Sequence, residues 1–399
     1  MTYQPIAPTN PEAPLEVLAS FTGRDWQPLS ADADESEEQR SQRQTARVGL
    51  EDELRGITNA DTLIVLAGLG TSLGIQSTNP SEAPKQPPSM WDLWEDVQEL
   101  ESFAEVASSL TPEVVETENL EYVLSDAQSR LSLEPNHGGL QRFVADAESI
   151  VLDRCTFIDD FSDVGAHELF LRKVARRSTR LQRTQLFTTN YDLAFERAAI
   201  RTHFNVIDGF GFGGVEFDGA SFDLDYVRRR PNEQIVLEPS VFHLLKLHGS
   251  VDWDVSTGSV RKVQGRPNKP VLIYPSAAKY QMSYQQPYLE FMSRFQIALR
   301  QSDVGLIIVG FGFNDAHLVA PIEAALRSNI GLRAVVVTPG ARANNRAPSF
   351  GWIEELIRRG DKRLTILKGT FDDLVRLLPG IPQSEERDAH VERFRGQDS

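Results

Sequence analysis

The chain predicts an α/β protein: a Rossmann-like parallel sheet covered by helices on both faces. Three observations carry that expectation. Short apolar runs rich in β-branched residues recur at Thr62–Leu66, Gln185–Thr188, Leu244–Leu247, Val304–Val309, Arg333–Val337 and Leu364–Leu367. Continuous apolar runs of this length suit strands buried on both faces. Segments with helical apolar spacing lie between them, as at Tyr288–Gln301 and His317–Arg327, and strands alternating with helices imply a parallel sheet. Finally, four runs end in glycine or small polar residues, and open parallel sheets bind ligands outside the carboxyl ends of their strands.

Taken in order, residues 1–55 begin Pro-rich and turn polar through Asp32–Glu38. They read as an N-terminal arm outside the core, flexible at first, helical over Ser36–Leu54, and able to wrap a neighbouring subunit. The main domain is expected over 56–379. Thr62–Leu66 runs directly into Ala67-Gly68-Leu69-Gly70-Thr71-Ser72, the expected start of a nucleotide-binding βαβ unit. Its glycines would let backbone approach a pyrophosphate, and a helix N-terminus would follow. Leu73 stands where a G-x-G-x-x-G fingerprint needs glycine, so an ordinary dinucleotide dehydrogenase fits poorly.

Ser77–Pro88 reads as a loop, and 90–183 as a helical insertion in which Trp91 and Trp94, three apart, face a core. Strand signals return at Gln185–Thr188, leading into Thr189-Asn190-Tyr191-Asp192. Leu244–Leu247 then delivers His248 onto Gly249 and Ser250. A histidine at a strand end, with a reference pKa of about 6.5, is a candidate proton acceptor, although such residues are often structural. Pro270–Pro275 is a further strand candidate, Val304–Val309 ends in Gly310-Phe311-Gly312-Phe313-Asn314-Asp315, and residues 380–399 form a charged tail.

Composition narrows the function. Hydrophobic residues are 40% and charged residues 25% of the 399, an ordinary globular balance. No run of 18 apolar residues occurs and Met1–Pro14 lacks a basic or apolar segment, so neither a membrane span nor a secretory signal is expected and the cytoplasm is the expected location. The net charge of −16 opposes direct binding to nucleic-acid phosphates. Ten acidic residues and no basic one lie in Glu95–Ser129, either a solvated helical face or a surface for a basic partner. The single cysteine, Cys155, excludes an internal disulfide or a Cys-based zinc cluster, and the seven histidines show no H-x-x-x-H spacing. No metal site is expected.

The four strand ends, in order, resemble the sirtuin-like (Sir2) family of NAD-binding proteins: Ala67–Ser72 as the glycine loop, Thr188–Asp192 as a Thr-x-Asn-x-Asp signature, Leu247–Ser250 as the catalytic-histidine segment, and Gly310–Asp315 as a later ribose-binding loop. Two departures matter. Leu69 replaces the alanine common in the glycine loop, and the two C-x-x-C pairs of the family's zinc-ribbon deacylases are absent. The helical insertion and the Phe187–Asp192 wording are similar instead to bacterial sirtuin-like proteins of antiphage defence that hydrolyse NAD. A free-standing chain of this length resembles those that assemble with a HerA-type ATPase.

The resemblance implies NAD as substrate, no zinc, a homo-oligomer, and catalysis by Asn190 and His248, with Asp192 holding a ribose or anchoring its loop. Ala67, Gly68, Gly70, Thr71, Ser72 and Thr189 would surround the phosphates and ribose, and Gly310, Gly312 and Asn314 would meet the adenosine half. Asp315 is read either as a ligand contact or as an N-cap. The expected reaction is NAD glycohydrolysis to nicotinamide and ADP-ribose. An NAD-dependent protein deacylase and a non-catalytic NAD or ADP-ribose sensor that scaffolds an ATPase are the alternatives.

Overall fold

The computed structural model describes residues 14–380 except 32–34, 78–84, 212–215, 230, 232–233, 273–285 and 345. The expected charged tail, residues 1–13 of the arm and the end of the Pro270–Pro275 strand lie outside the described residues.

The chain runs β1 (Glu16–Ala19), β2 (Gln27–Pro28), α1 (Glu37–Thr58) and β3 (Thr62–Ala67). Six helices follow: α2 (Met90–Gln98), α3 (Glu101–Val106), α4 (Pro112–Val115), α5 (Leu120–Leu133), α6 (Gly138–Cys155) and α7 (Gly165–Val174). Next come β4 (Gln185–Thr188), α8 (Ala194–Thr202), β5 (Asn205–Ile207), the ribbon β6 (Val227–Arg228) and β7 (Val236–Leu237), β8 (Val241–Lys246), β9 (Gly249–Asp254), β10 (Arg261–Lys262) and β11 (Pro270–Leu272). The chain closes with α9 (Tyr288–Leu299), β12 (Val304–Val309), α10 (Ala316–Ser328), β13 (Leu332–Val337), α11 (Pro348–Arg358), β14 (Leu364–Lys368) and α12 (Phe371–Leu377).

Nine strands form one sheet in the order β2-β1-β14-β13-β12-β3-β4-β8-β5. From β14 to β5 all neighbours are parallel. The fold class is therefore the Rossmann-like α/β sheet expected, with one addition. β1 pairs antiparallel with β14, and β2 with β1.

Period-two alternation divides the central strands between two cores. Leu63, Val65, Ala67, Ile307 and Val309 face α1, α7, α8 and α12; Ile64, Leu66, Leu306 and Ile308 face α9, α10 and α11. Strands buried on both faces must be apolar at every position, which is why these runs show no polar alternation.

The reading of residues 1–55 as an arm outside the core is corrected from residue 14 onward. Leu15, Val17, Leu50, Leu54 and Ile57 are buried in the first core. The Ser36 hydroxyl accepts from Gln39 N–H and the Gln39 side chain accepts from Ser36 N–H, a capping box that starts α1. Apolar residues four and three apart at 46, 50, 54 and 57 then lay one stripe of α1 on the sheet.

The helices between β3 and β4, where an insertion over 90–183 was expected, divide into two groups. α2–α6 enclose a core of their own, with Trp94, Val97, Val123, Phe143 and Val151 at its centre, whereas α7 returns to the sheet through Phe170 and Val174. Trp91 departs from expectation: it is 50% exposed and only Trp94 faces the core. At helical pitch the residue three places before Trp94 lies about 60° round the axis, far enough for Trp91 to leave this narrow apolar face.

Candidate active site

Strand order reverses around β3: the chain goes first to β4, β5 and β8 on one side, then to β12, β13 and β14 on the other. Crevices open at such switch points beyond the carboxyl ends of the strands. A cavity of about 440 Å³ lies there, within the size range of small-molecule and cofactor sites. Gly68 and Gly70 line it after β3, Thr189–Asp192 after β4, His248 after β8, and Gly310–Gly312 with Asn314 and Asp315 after β12. The four strand ends thus share one cavity.

Three expected residues stand behind the wall instead of on it. Ala67, Thr71 and Ser72 do not line the cavity and are 0%, 2% and 0% exposed. The chain after Gly68 makes one 3-10 turn at Leu69–Thr71 and no α-helix among the described residues before α2, so the expected helix N-terminus behind the glycine loop is also corrected. In that turn the Thr71 hydroxyl donates back to Gly68 C=O at 2.9 Å, while the Ser72 hydroxyl donates to Asp192 Oδ2 at 2.8 Å. Their protons are spent inward, and their oxygens accept from Asn190.

Those two bonds fix the asparagine. Asn190 Nδ2 donates to Thr71 Oγ1 at 3.1 Å and to Ser72 Oγ at 3.0 Å. Because both hydroxyl protons are committed elsewhere, the amide must present nitrogen to them, leaving Oδ1, a pure acceptor, as the amide's atom for a ligand. Asp192 is an anchor: Oδ2 accepts from Ser72 and Oδ1 accepts from Ala194 N–H at the start of α8. Thr189 N–H is held by Ala67 C=O at 3.0 Å, continuing the β3–β4 ladder.

His248 sits in a tight turn between β8 and β9. Gly249, at φ +94°, makes that turn possible, since a Cβ there would come within 2.0 Å of Val271 C=O. Across the cavity His248 Nε2 meets Asp315 Oδ2 at 3.0 Å, and both side chains are more than 90% buried. Asp315 is also the N-cap of α10, its Oδ1 accepting from His317 N–H at 3.0 Å. The N-cap reading of this residue is seen directly, while its other carboxylate oxygen turns to His248 at the cavity wall. A carboxylate only accepts, so the pair favours the tautomer with its proton on Nε2 and its basic lone pair on Nδ1.

The glycines meet each other. Gly68 N–H donates to Val309 C=O and Gly70 N–H to Gly310 C=O at 3.0 and 3.1 Å. A Cβ on Gly70 would lie 2.6 Å from Gly310 Cα, and one on Gly310, at φ +66°, 2.7 Å from Gly70 Cα. Here glycine is required first by the close packing of two loop backbones.

The opposite wall comes from the insertion: Pro88, Met90, Leu93, Asn119, Glu121, Cys155 and Phe157. No motif marks these residues. Thr338 and Pro339, after β13, also line the cavity, and the strand-end rule applied to a fifth strand would have found them. Burial, reinforced by the charge of Asp192, pushes the Cys155 thiol up to about 12; it packs as a neutral group and is no nucleophile. Among the described residues no group of three His, Cys, Asp or Glu is placed to hold a metal ion, and no helix is long and apolar enough to cross a membrane.

Fold and site together define an α/β protein with a crevice at its topological switch point. Residues 184–354 match the model of the SIR2-like domain family, which supports a Sir2-family protein and fits an NAD-related function. The matched stretch holds the Asn190 loop, His248 and the Gly310–Asp315 loop; the Gly68 turn precedes it. No curated protein matches the chain.

Proposed function

We propose that the protein is an NAD glycohydrolase that acts in antiphage defence by NAD depletion, as a homo-oligomer assembled with a HerA-type ATPase. What carries the catalytic part is one observation: an asparagine with a committed Nδ2 and a histidine paired to a carboxylate share a cavity with two glycine turns. The defence role and the ATPase rest on the resemblance of the motifs alone.

In this reading Asn190 Oδ1 accepts from a ribose hydroxyl or from the attacking water. The bond between the ribose C1′ and the nicotinamide nitrogen breaks, and nicotinamide leaves with the bonding pair. Water oxygen bonds to C1′, and its proton passes to His248, whose ring Asp315 holds. Charge and atoms balance as NAD and water giving nicotinamide, ADP-ribose and a proton. Such proton acceptance is typically worth ~10²–10⁴ in rate. In this reading the pyrophosphate would pass along the Gly68 and Gly310 turns, both of which line the cavity.

The experiment is incubation of the purified protein with NAD, with and without a HerA-type ATPase, and chromatographic measurement of nicotinamide and ADP-ribose. Wild type should release both in equal amounts, and Asn190→Ala and His248→Ala should lose at least ~10² of the rate. Equal turnover by all three proteins sinks the mechanism. A requirement for an acylated peptide selects a deacylase, and tight NAD binding without cleavage selects a sensor.

A further inference from the structure

Lys246 is an unusual occupant for a central strand. It ends β8, two residues before His248, and is 3% exposed. An ammonium has three N–H donors, and three acceptors meet it: Tyr191 C=O at 3.2 Å, Asp192 C=O at 2.5 Å and Glu196 Oε1 at 3.1 Å. Glu196 belongs to the first turn of α8. Burying an ion pair is costly, and apolar replacement of such pairs is often neutral or stabilising. Stability alone therefore gives little reason for this lysine.

What the ammonium grips is the main chain immediately after Asn190. From the other side, Thr71 and Ser72 hold the Asn190 amide, and Ser72 also holds Asp192. Lys246 is the last residue of β8, and His248 follows it in the turn that leads into β9. The cation that fixes the asparagine loop and the histidine are thus two residues apart on one short stretch of chain.

We propose that Lys246 is a positioning residue, a three-point clamp on the Tyr191–Asp192 backbone and α8 that sets Asn190 against His248. The turnover part of its test rests on the NAD-cleaving reading above, whereas the loop-clamping part does not. The test uses the full chain as wild type, Lys246→Met, Lys246→Arg, Asn190→Ala and the Lys246→Met/Asn190→Ala double variant. Nicotinamide release gives kcat and KM, and hydrogen–deuterium exchange follows residues 189–194.

Lys246→Met should lower kcat about 30-fold with KM within threefold, a smaller loss than deleting the asparagine because it acts through it. Lys246→Arg should recover part of that loss. The double variant should be no slower than Asn190→Ala alone, since residues acting through one group are not additive. Exchange at 189–194 should rise about tenfold in Lys246→Met, one decade being 1.4 kcal/mol of lost local protection, while β12 and β13 keep theirs. Losses that multiply in the double variant, or unchanged exchange at 189–194, overturn the proposal. If Lys246→Met does not fold, Glu196→Ala replaces it: removing one of the three contacts should raise exchange there about threefold, and no rise overturns the clamp. Should wild type leave NAD intact under every condition, the glycohydrolase reading fails while the exchange result still decides the clamp.

Discussion

Replacing Asp315 by asparagine separates the two duties of that side chain. In the wild type one carboxylate oxygen accepts from His317 N–H and the other meets His248 Nε2. Asparagine has the same shape but one acceptor oxygen. The backbone N–H of His317 cannot change its character, so the amide oxygen stays on the cap and Nδ2 faces the imidazole. Two donors cannot face each other in a buried site, so the histidine must move its proton to Nδ1, and the lone pair that served as base is lost. Asparagine caps helices as well as aspartate, so the stability of α10 should hold within about 0.5 kcal/mol.

Loss of the general base should cost ~10²–10⁴ in rate, or ~2.7–5.5 kcal/mol at 1.36 kcal/mol per decade. Asp315→Ala should lose a similar rate together with ~0.5–2 kcal/mol of stability from the missing cap. Initial rates of nicotinamide release and denaturant unfolding of the three proteins measure the two quantities separately. A Asp315→Asn variant that keeps kcat within threefold of wild type, or unfolds together with Asp315→Ala, would falsify the assignment of the pair.

Three further outcomes follow from the packing. Gly310→Ala places a Cβ 2.7 Å from the Gly70 backbone at φ +66°; strain of ~1–2 kcal/mol plus overpacking of ~1–3 kcal/mol should destabilise the protein by ~2–5 kcal/mol in urea unfolding, and a neutral substitution would mean the loops do not touch. Leu50→Ala on α1, fully buried against the sheet, should cost ~2–5 kcal/mol, whereas a residue of a solvated arm would show no change.

Burial pushes the Glu148 carboxyl on α6 up to about 7 despite Lys269 and Gln128 beside it. The native state therefore keeps a proton that the unfolded chain releases near 4.5. This stabilising contribution is complete below pH 4.5, declines as pH rises toward 7 and is gone above it. Glu148→Gln should remove that slope and gain up to ~3 kcal/mol relative to wild type at pH 8; thermal unfolding at pH 5 and pH 8 that gives the same difference between the two proteins excludes it.

Most of the parallel core was legible because its strands are largely apolar runs closed by small or polar residues; the three-residue edge strand β5 is too short to give that signal. β3, β4, β12, β13 and β14 lie within one residue of where apolar runs predict them, and β8 begins three residues earlier than its run. β1 was not, because four residues among prolines and charges carry no periodicity and their partners, Thr365–Lys368, lie at the far end of the chain. Asn190, His248 and the glycines announced themselves by standing at strand ends. Thr71 and Ser72 did too, and misled: residue type indicates that a hydroxyl is present, but only the neighbouring Asp192 and Gly68 carbonyl determine which way it turns. The insertion wall was invisible for a different reason. Met90, Leu93 and Cys155 face the cavity with the same apolar character that serves a helical core.

The insertion's closed core bears on how the sheet can assemble. β3 joins β4 and β12, partners that begin only at residues 185 and 304, which is the kind of long-range pairing that slows folding. The first and last helices of the insertion core are stapled together, with Arg154 on α6 paired to Asp96 on α2 at 3.0 Å. Once α2–α6 have collapsed, their two ends are neighbours, and the open loop between β3 and β4 is shortened by the length of that unit. Loop-closure entropy grows by only ~0.6 kcal/mol per doubling of loop length, so this shortcut changes the order of events more than the final stability. The helical unit should form first and hand the sheet a short connection, and pulse-labelled amides of α5 and α6 should gain protection before those of β3. A refolding time course in which β3 is protected first would show that the sheet assembles across the full open loop.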